Sequence, residues 1–164
     1  MIKSAIRPLV LLAALGVTAS AFAQQASMKP EDAIKTRQAG YAFMAWNMGK
    51  IKAQVADGSV AYNKDQVLNA ALAIKGIANS GMGALYIPGT DTKTAPVKTR
   101  ALPELFDPKN TDERNKIGKN FVEQANKLAE VAAGGNQGAI KAQFGELGKA
   151  CKACHDKFRE EEKK

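Results

Sequence analysis

Residues 136–159 read NQGAIKAQFGELGKACKACHDKFR. Ile140, Phe144, Leu147, Cys151, Cys154 and Phe158 recur in steps of three and four, which places them on one face of a helix with 3.6 residues per turn. The pattern predicts a helix from near Asn136 into the charged end of the chain, with Gly134-Gly135 stopping whatever precedes it. Upstream, Thr111 or Asp112 can cap a helix carrying Ile117, Phe121, Leu128 and Val131 up to those glycines. Lys64 to Asn79 bears a broad stripe of Val67, Leu68, Ala71, Leu72, Ile74 and Ala78 and stops at Ser80-Gly81. Lys29 to Val55 has the clearest period, through Ile34, Tyr41, Met44, Met48, Ile51 and Val55. Ser27 serves there as cap, Pro30 suits the first turn, and Glu31 and Asp32 favour the positive end of the helix dipole.

Between the second and third helices, Gly81 to about Asn110 holds Pro88, Pro96, Pro103 and Pro108 with several glycines and no sustained period, so it reads as a long connection. Strand signals are nearly absent, and aromatic content is 6%. Four helices with short first and third connections predict an all-α, antiparallel four-helix bundle.

The start of the chain reads as an export signal. Lys3 and Arg7 precede an apolar run from Pro8 to Phe22, and Ala21-Phe22-Ala23 supplies the small-x-small cleavage pattern. The expected division is a signal peptide at 1–23 and one helical domain at 24–164, with a periplasmic location. The apolar run falls short of the roughly 20 residues a spanning helix needs, and no later segment is apolar enough, so no membrane insertion is expected after cleavage. Net charge is +8, and setting aside Lys3 and Arg7 leaves 22 cations against 16 anions. Such a surface suits an acidic redox partner protein. Nucleic acid is not an expected partner, because export removes the usual targets and acidic residues are interspersed among the lysines.

Cys151-Lys152-Ala153-Cys154-His155 is the C-x-x-C-H pattern of c-type haem attachment. On a helix the two thiols lie three residues apart on one face and can reach the two vinyl groups of one porphyrin, while His155 reaches the iron. A thioredoxin-like C-x-x-C expects a βαβ setting that this chain lacks. A disulfide between these cysteines would close too small a loop to add much stability. One histidine with two cysteines falls short of the usual zinc set. The expected cofactor is therefore one haem c, held through Cys151 and Cys154, with His155 as metal ligand. His155 is the only histidine, so a second histidine ligand from the same chain is excluded. The sixth position is vacant or filled by Met, Lys, Tyr, water or an exogenous ligand. With its histidine committed, the chain has no distal general base of the peroxidase kind, and an enzyme is not expected.

With its motif near the C-terminus, a first helix containing KPEDAIKTRQ (29–38), Pro88-Gly89-Thr90 in the connection, and the ending Cys151 to Arg159, the mature chain resembles cytochrome c′ over essentially its whole length. The resemblance implies a left-handed bundle, usually a homodimer, with high-spin five-coordinate iron that binds small gases such as nitric oxide and carbon monoxide. It implies that Arg37 lies near a haem propionate and that the residue four positions on, Tyr41, closes the distal face. It also implies that Arg159, four positions after His155, lies near the proximal face. Leu or Phe is commoner at the blocking position, so Tyr41 adds a hydroxyl. Some relatives use a first-helix methionine as sixth ligand, which makes a low-spin electron carrier with Met44 or Met48 on the iron the alternative. Phe43 and Trp46 lie on the other side of the first helix and suit a neighbouring helix or a second subunit.

Overall fold

The computed structural model describes residues 28–161, so the signal-peptide reading and the capping role of Ser27 fall outside the described residues. Four helices, α1 (Pro30–Val55), α2 (Lys64–Ala78), α3 (Thr111–Gly134) and α4 (Gln137–Phe158), form the four-helix bundle that the hydrophobic periods predict. α1 packs on α2 and α4, α2 on α3, and α3 on α4, which closes the bundle.

Local chemistry sets the helix ends. Lys29 is extended ahead of Pro30 and is the N-cap of α1, with Glu31 and Asp32 in the first turn. Asn63 accepts from the Gln66 amide to cap α2, and Asn136 accepts from the Ala139 amide to cap α4. Gly135 adopts φ +75° at the end of α3, a conformation that favours glycine, and so turns the chain sharply into α4. The start of α3 differs from the expected capping by Thr111 or Asp112. A 3₁₀ turn at Pro108–Asn110 runs directly into it, so Thr111 is already helical and Asn110 is the N-cap without a side-chain bond.

The apolar faces meet in a main core in which Ile51, Val67, Ala71, Leu128, Ala132, Ile140 and Leu147 are completely buried. Tyr41 departs from this pattern. It belongs to the α1 stripe by spacing, yet it is 37% exposed while Met44 beside it is 5% exposed.

The long connection contains two further 3₁₀ turns, Met82–Leu85 and Pro103–Phe106. It then returns to the end of α4. The Leu102 amide donates to the Phe158 carbonyl (3.0 Å), the Glu160 amide donates to the Arg100 carbonyl (2.8 Å), and Ala101 bridges Arg159 antiparallel. This junction creates a second apolar cluster, with Ala101, Leu105 and Phe158 at its centre and Tyr86, Phe106, Ile117 and Cys154 packed against them.

Candidate haem site

α4 carries the two cysteines across the seam between the clusters. Cys151 packs against the main core and Cys154 against the second cluster. Both thiols are free and partly buried, and burial pushes both upward in pKa, with Cys154 reinforcing the effect on Cys151. His155, the next residue, is exposed. Its imidazole is held below the usual histidine range by partial burial first, and then by the positive charges of Arg159 and Arg100, with Asp156 opposing. A guanidinium nitrogen of Arg159 lies 3.2 Å from His155 Nδ1. These causes favour the neutral imidazole, which is the form a metal ligand requires.

Tyr41 faces this motif from α1. Its pKa is raised, chiefly by burial, with Cys154 and Cys151 adding to the rise. Its oxygen accepts a hydrogen bond from the Tyr86 hydroxyl at 3.1 Å. The Tyr86 pKa is raised far above the tyrosine range by burial and by the neighbouring Tyr41.

Arg37 is 3% exposed and its hydrogen bonds run to the connection. Nη1 donates to the Leu85 carbonyl (3.3 Å) and to Thr90 Oγ1 (2.8 Å), and Nη2 donates to the Thr90 carbonyl (2.5 Å) and to Thr99 Oγ1 (2.8 Å). Its guanidinium carbon also lies 4.7 Å from the centroid of the Tyr86 ring, within cation–π range. Gly89 adopts φ +80° just ahead of Thr90, so the turn that presents Thr90 to the arginine favours glycine.

The geometry gathers Cys151, Cys154, His155, Tyr41 and Arg159 at one end of the bundle and sets Arg37 behind them as a clamp on the connection. Sequence reasoning did not single out Tyr86, Arg100 or Thr99. The available signal was slight: an isolated tyrosine and a Thr-Arg pair in a segment without period. Among the described residues no group of three or more His, Cys, Asp or Glu could hold a metal ion, and no helix is long and apolar enough to cross a membrane. The donor set instead fits a haem. Two thiols one helical turn apart suit its vinyl groups, one imidazole suits its iron, and the wall of Tyr86, Phe106 and Phe158 suits an apolar macrocycle.

Comparison with known proteins agrees. Residues 32–159 match the family model described as Cytochrome C'. The cytochrome c′ of Allochromatium vinosum is 55% identical over 148 residues, covering 90% of this chain and 92% of the relative. A solved cytochrome c′ described for its ligand-controlled dimer dissociation superposes with a TM-score of 0.76 at 54% identity, covering 82% of this chain and 99% of that one. Nitric oxide and carbon monoxide complexes of cytochrome c′ variants from Alcaligenes xylosoxidans superpose with TM-scores of 0.70 and 0.69 at 29% identity. They cover 82% and 81% of this chain and 98% of each of theirs. With its helical bundle, its C-x-x-C-H motif on α4 and these matches, the chain belongs to the cytochrome c′ family, whose cofactor is haem c.

Proposed function

We propose that the protein is an exported, periplasmic haem protein whose iron, high-spin and five-coordinate on His155, binds small gases such as nitric oxide and carbon monoxide and can also pass electrons to a redox partner. The observation that carries this reading is Tyr41, which reaches from α1 to Tyr86 in the cluster that also holds Cys154, while Met44 is packed into the main core and Met48 lies against that core. A methionine committed to the core is poorly placed to become a sixth ligand. The nitric oxide and carbon monoxide complexes of the Alcaligenes relative support the gas-binding reading.

When bound, haem c supplies an iron that can take up a diatomic ligand or exchange one electron. The chain's own residues set the terms. Cys151 and Cys154 would hold the group to α4 through their thiols, and His155 would supply a nitrogen to its iron. Arg159 lies against the Nδ1 edge of that imidazole, so that Nε2 would be the nitrogen open to the iron. Tyr41 would narrow the approach to the iron, so that only small ligands pass. Arg37 uses both terminal nitrogens to hold the connection, and would lie near a haem propionate while it keeps that wall in place.

The lysines around the motif are largely paired with neighbouring carboxylates. Lys149 bonds Glu146 (2.7 Å), Lys152 bonds Asp156 (2.5 Å), and Lys157 bonds Glu113. This mixed surface offers an acidic redox partner less attraction than the net charge suggests. A homodimer would bury Phe43 and Trp46, which are 48% and 57% exposed, with ring centroids 5.4 Å apart and planes tilted by 37°. The dimer of the solved relative supports this assembly.

The role of Tyr41 is tested by flash photolysis of the ferrous carbon monoxide complex. Tyr41→Ala should accelerate carbon monoxide binding at least tenfold, a barrier change of about 1.4 kcal/mol. An unchanged rate would remove Tyr41 from the site.

A further inference from the structure

We propose that Tyr86 is a positioning residue for the distal gate: its hydroxyl holds the Tyr41 oxygen, so that Tyr41 closes the face in one fixed position with its own proton left free to point elsewhere. The inference rests on the reading of Tyr41 as that gate and adds a residue from outside the helices.

Tyr86 is anchored from several sides. Its amide donates to the Gly83 carbonyl (3.2 Å). Its ring lies 6.3 Å from Phe106, tilted by 56°, and packs on the cluster of Ala101, Leu105 and Phe158. Arg37 covers the ring at 4.7 Å and bonds the connection on both sides of it, at Leu85 before and at Thr90 and Thr99 after. A tyrosine fixed this firmly presents its hydroxyl at a defined point, and that point is 3.1 Å from the Tyr41 oxygen. Tyr41 is less enclosed, being 37% exposed on a helix surface. The better-fixed side chain therefore orients the looser one.

The direction of the bond matters chemically. A phenol has one proton and can donate one hydrogen bond. With Tyr86 as donor, the Tyr41 oxygen is an acceptor, and its proton remains available to a ligand or to the haem side of the site. Donation from Tyr86 also polarises the Tyr41 O–H and strengthens it as a donor. Tyr86 thus affects ligand entry by restricting the motion of Tyr41, and affects the bound ligand by tuning the Tyr41 proton.

The test is a double-mutant cycle on the ferrous holoprotein with Tyr86→Phe and Tyr41→Phe, read by carbon monoxide association rate and by the C–O stretching frequency. Tyr86→Phe keeps the ring over Arg37 and removes only the hydroxyl. It should raise the association rate roughly twofold to tenfold, the worth of one hydrogen bond, and it should shift or broaden the C–O band. In the Tyr41→Phe background the same substitution should change neither readout, because the acceptor is gone. A wild-type rate and band in Tyr86→Phe, alongside a fast Tyr41→Ala, would overturn the pairing and leave the gate standing. A Tyr41→Ala protein with an unchanged rate would overturn the gate and the pairing together. Equal effects of Tyr86→Phe in both backgrounds would also overturn the proposal, since they would reflect general loosening of the connection.

Discussion

The two ends of the bundle are built on different principles. Around Ile51, Val67, Leu128, Ile140 and Leu147 the four helices close on each other mainly through apolar side chains, with Gln54 bonding Gln66 and Gln143 bonding Gln124 across the helix seams. At the other end the helices leave the Cys151–His155 face for a different kind of wall. That wall comes from the long connection, which is pinned by the buried Arg37 and by the strand-like pairing of Ala101 with Arg159. The first end is generic helix packing, whose stability follows from buried area. The second is specified by a few polar bonds, and it is where the proposed haem chemistry would reside. A bundle can thus devote one end to stability and let a loop shape the other.

Substitutions can separate the two ends. The largest effect is expected from Cys151→Ala combined with Cys154→Ala, which should abolish covalently held haem. Intact mass measured under denaturing conditions should then fall to that of the bare chain, and retention of a haem mass would contradict the attachment. Leu128→Ala should lower global stability by about 2–5 kcal/mol, as a fully buried leucine does. Arg37→Met should cost about 2–3 kcal/mol through the acceptors it leaves unpartnered. Its effect should be local, with hydrogen exchange accelerating at 82–102 and little at Leu128. If both variants loosen the whole bundle alike, the distinction between the ends fails.

The smallest expected effect is at high pH. The folded pKa of Tyr86 lies well above its ordinary value of 10.0, so the folded state favours the neutral phenol. Its contribution to stability is fully present below about pH 10 and is lost as pH rises from there toward the folded value. Denaturant midpoints should decline above pH 10 and decline less in Tyr86→Phe. An identical decline in the two proteins would show that Tyr86 does not contribute.

The end that packs by periodicity was legible in the sequence, because Ile140, Leu147 and Leu128 repeat with the helical period, although the capping roles of Asn63 and Asn136 were not read from it. The C-x-x-C-H spacing of Cys151, Cys154 and His155 pointed to haem c for a mechanical reason, and the family match agrees on that cofactor. Tyr41 was placed at the site by family resemblance, whereas its spacing assigned it to the core stripe. Tyr86, Arg100 and Thr99 were hidden, because non-periodic segments carry no signal for the contacts they make in three dimensions. The bonds of Arg37 to Thr90 and Thr99 span 53 and 62 residues, and no local pattern encodes such a pairing.

The most direct test of the account is the absorption spectrum of the purified protein, oxidised and reduced, with and without nitric oxide. An open face behind Tyr41 predicts a high-spin spectrum in both redox states that shifts when the gas is added. Sharp low-spin bands indifferent to the gas would put Met44 or Met48 on the iron and contradict the account.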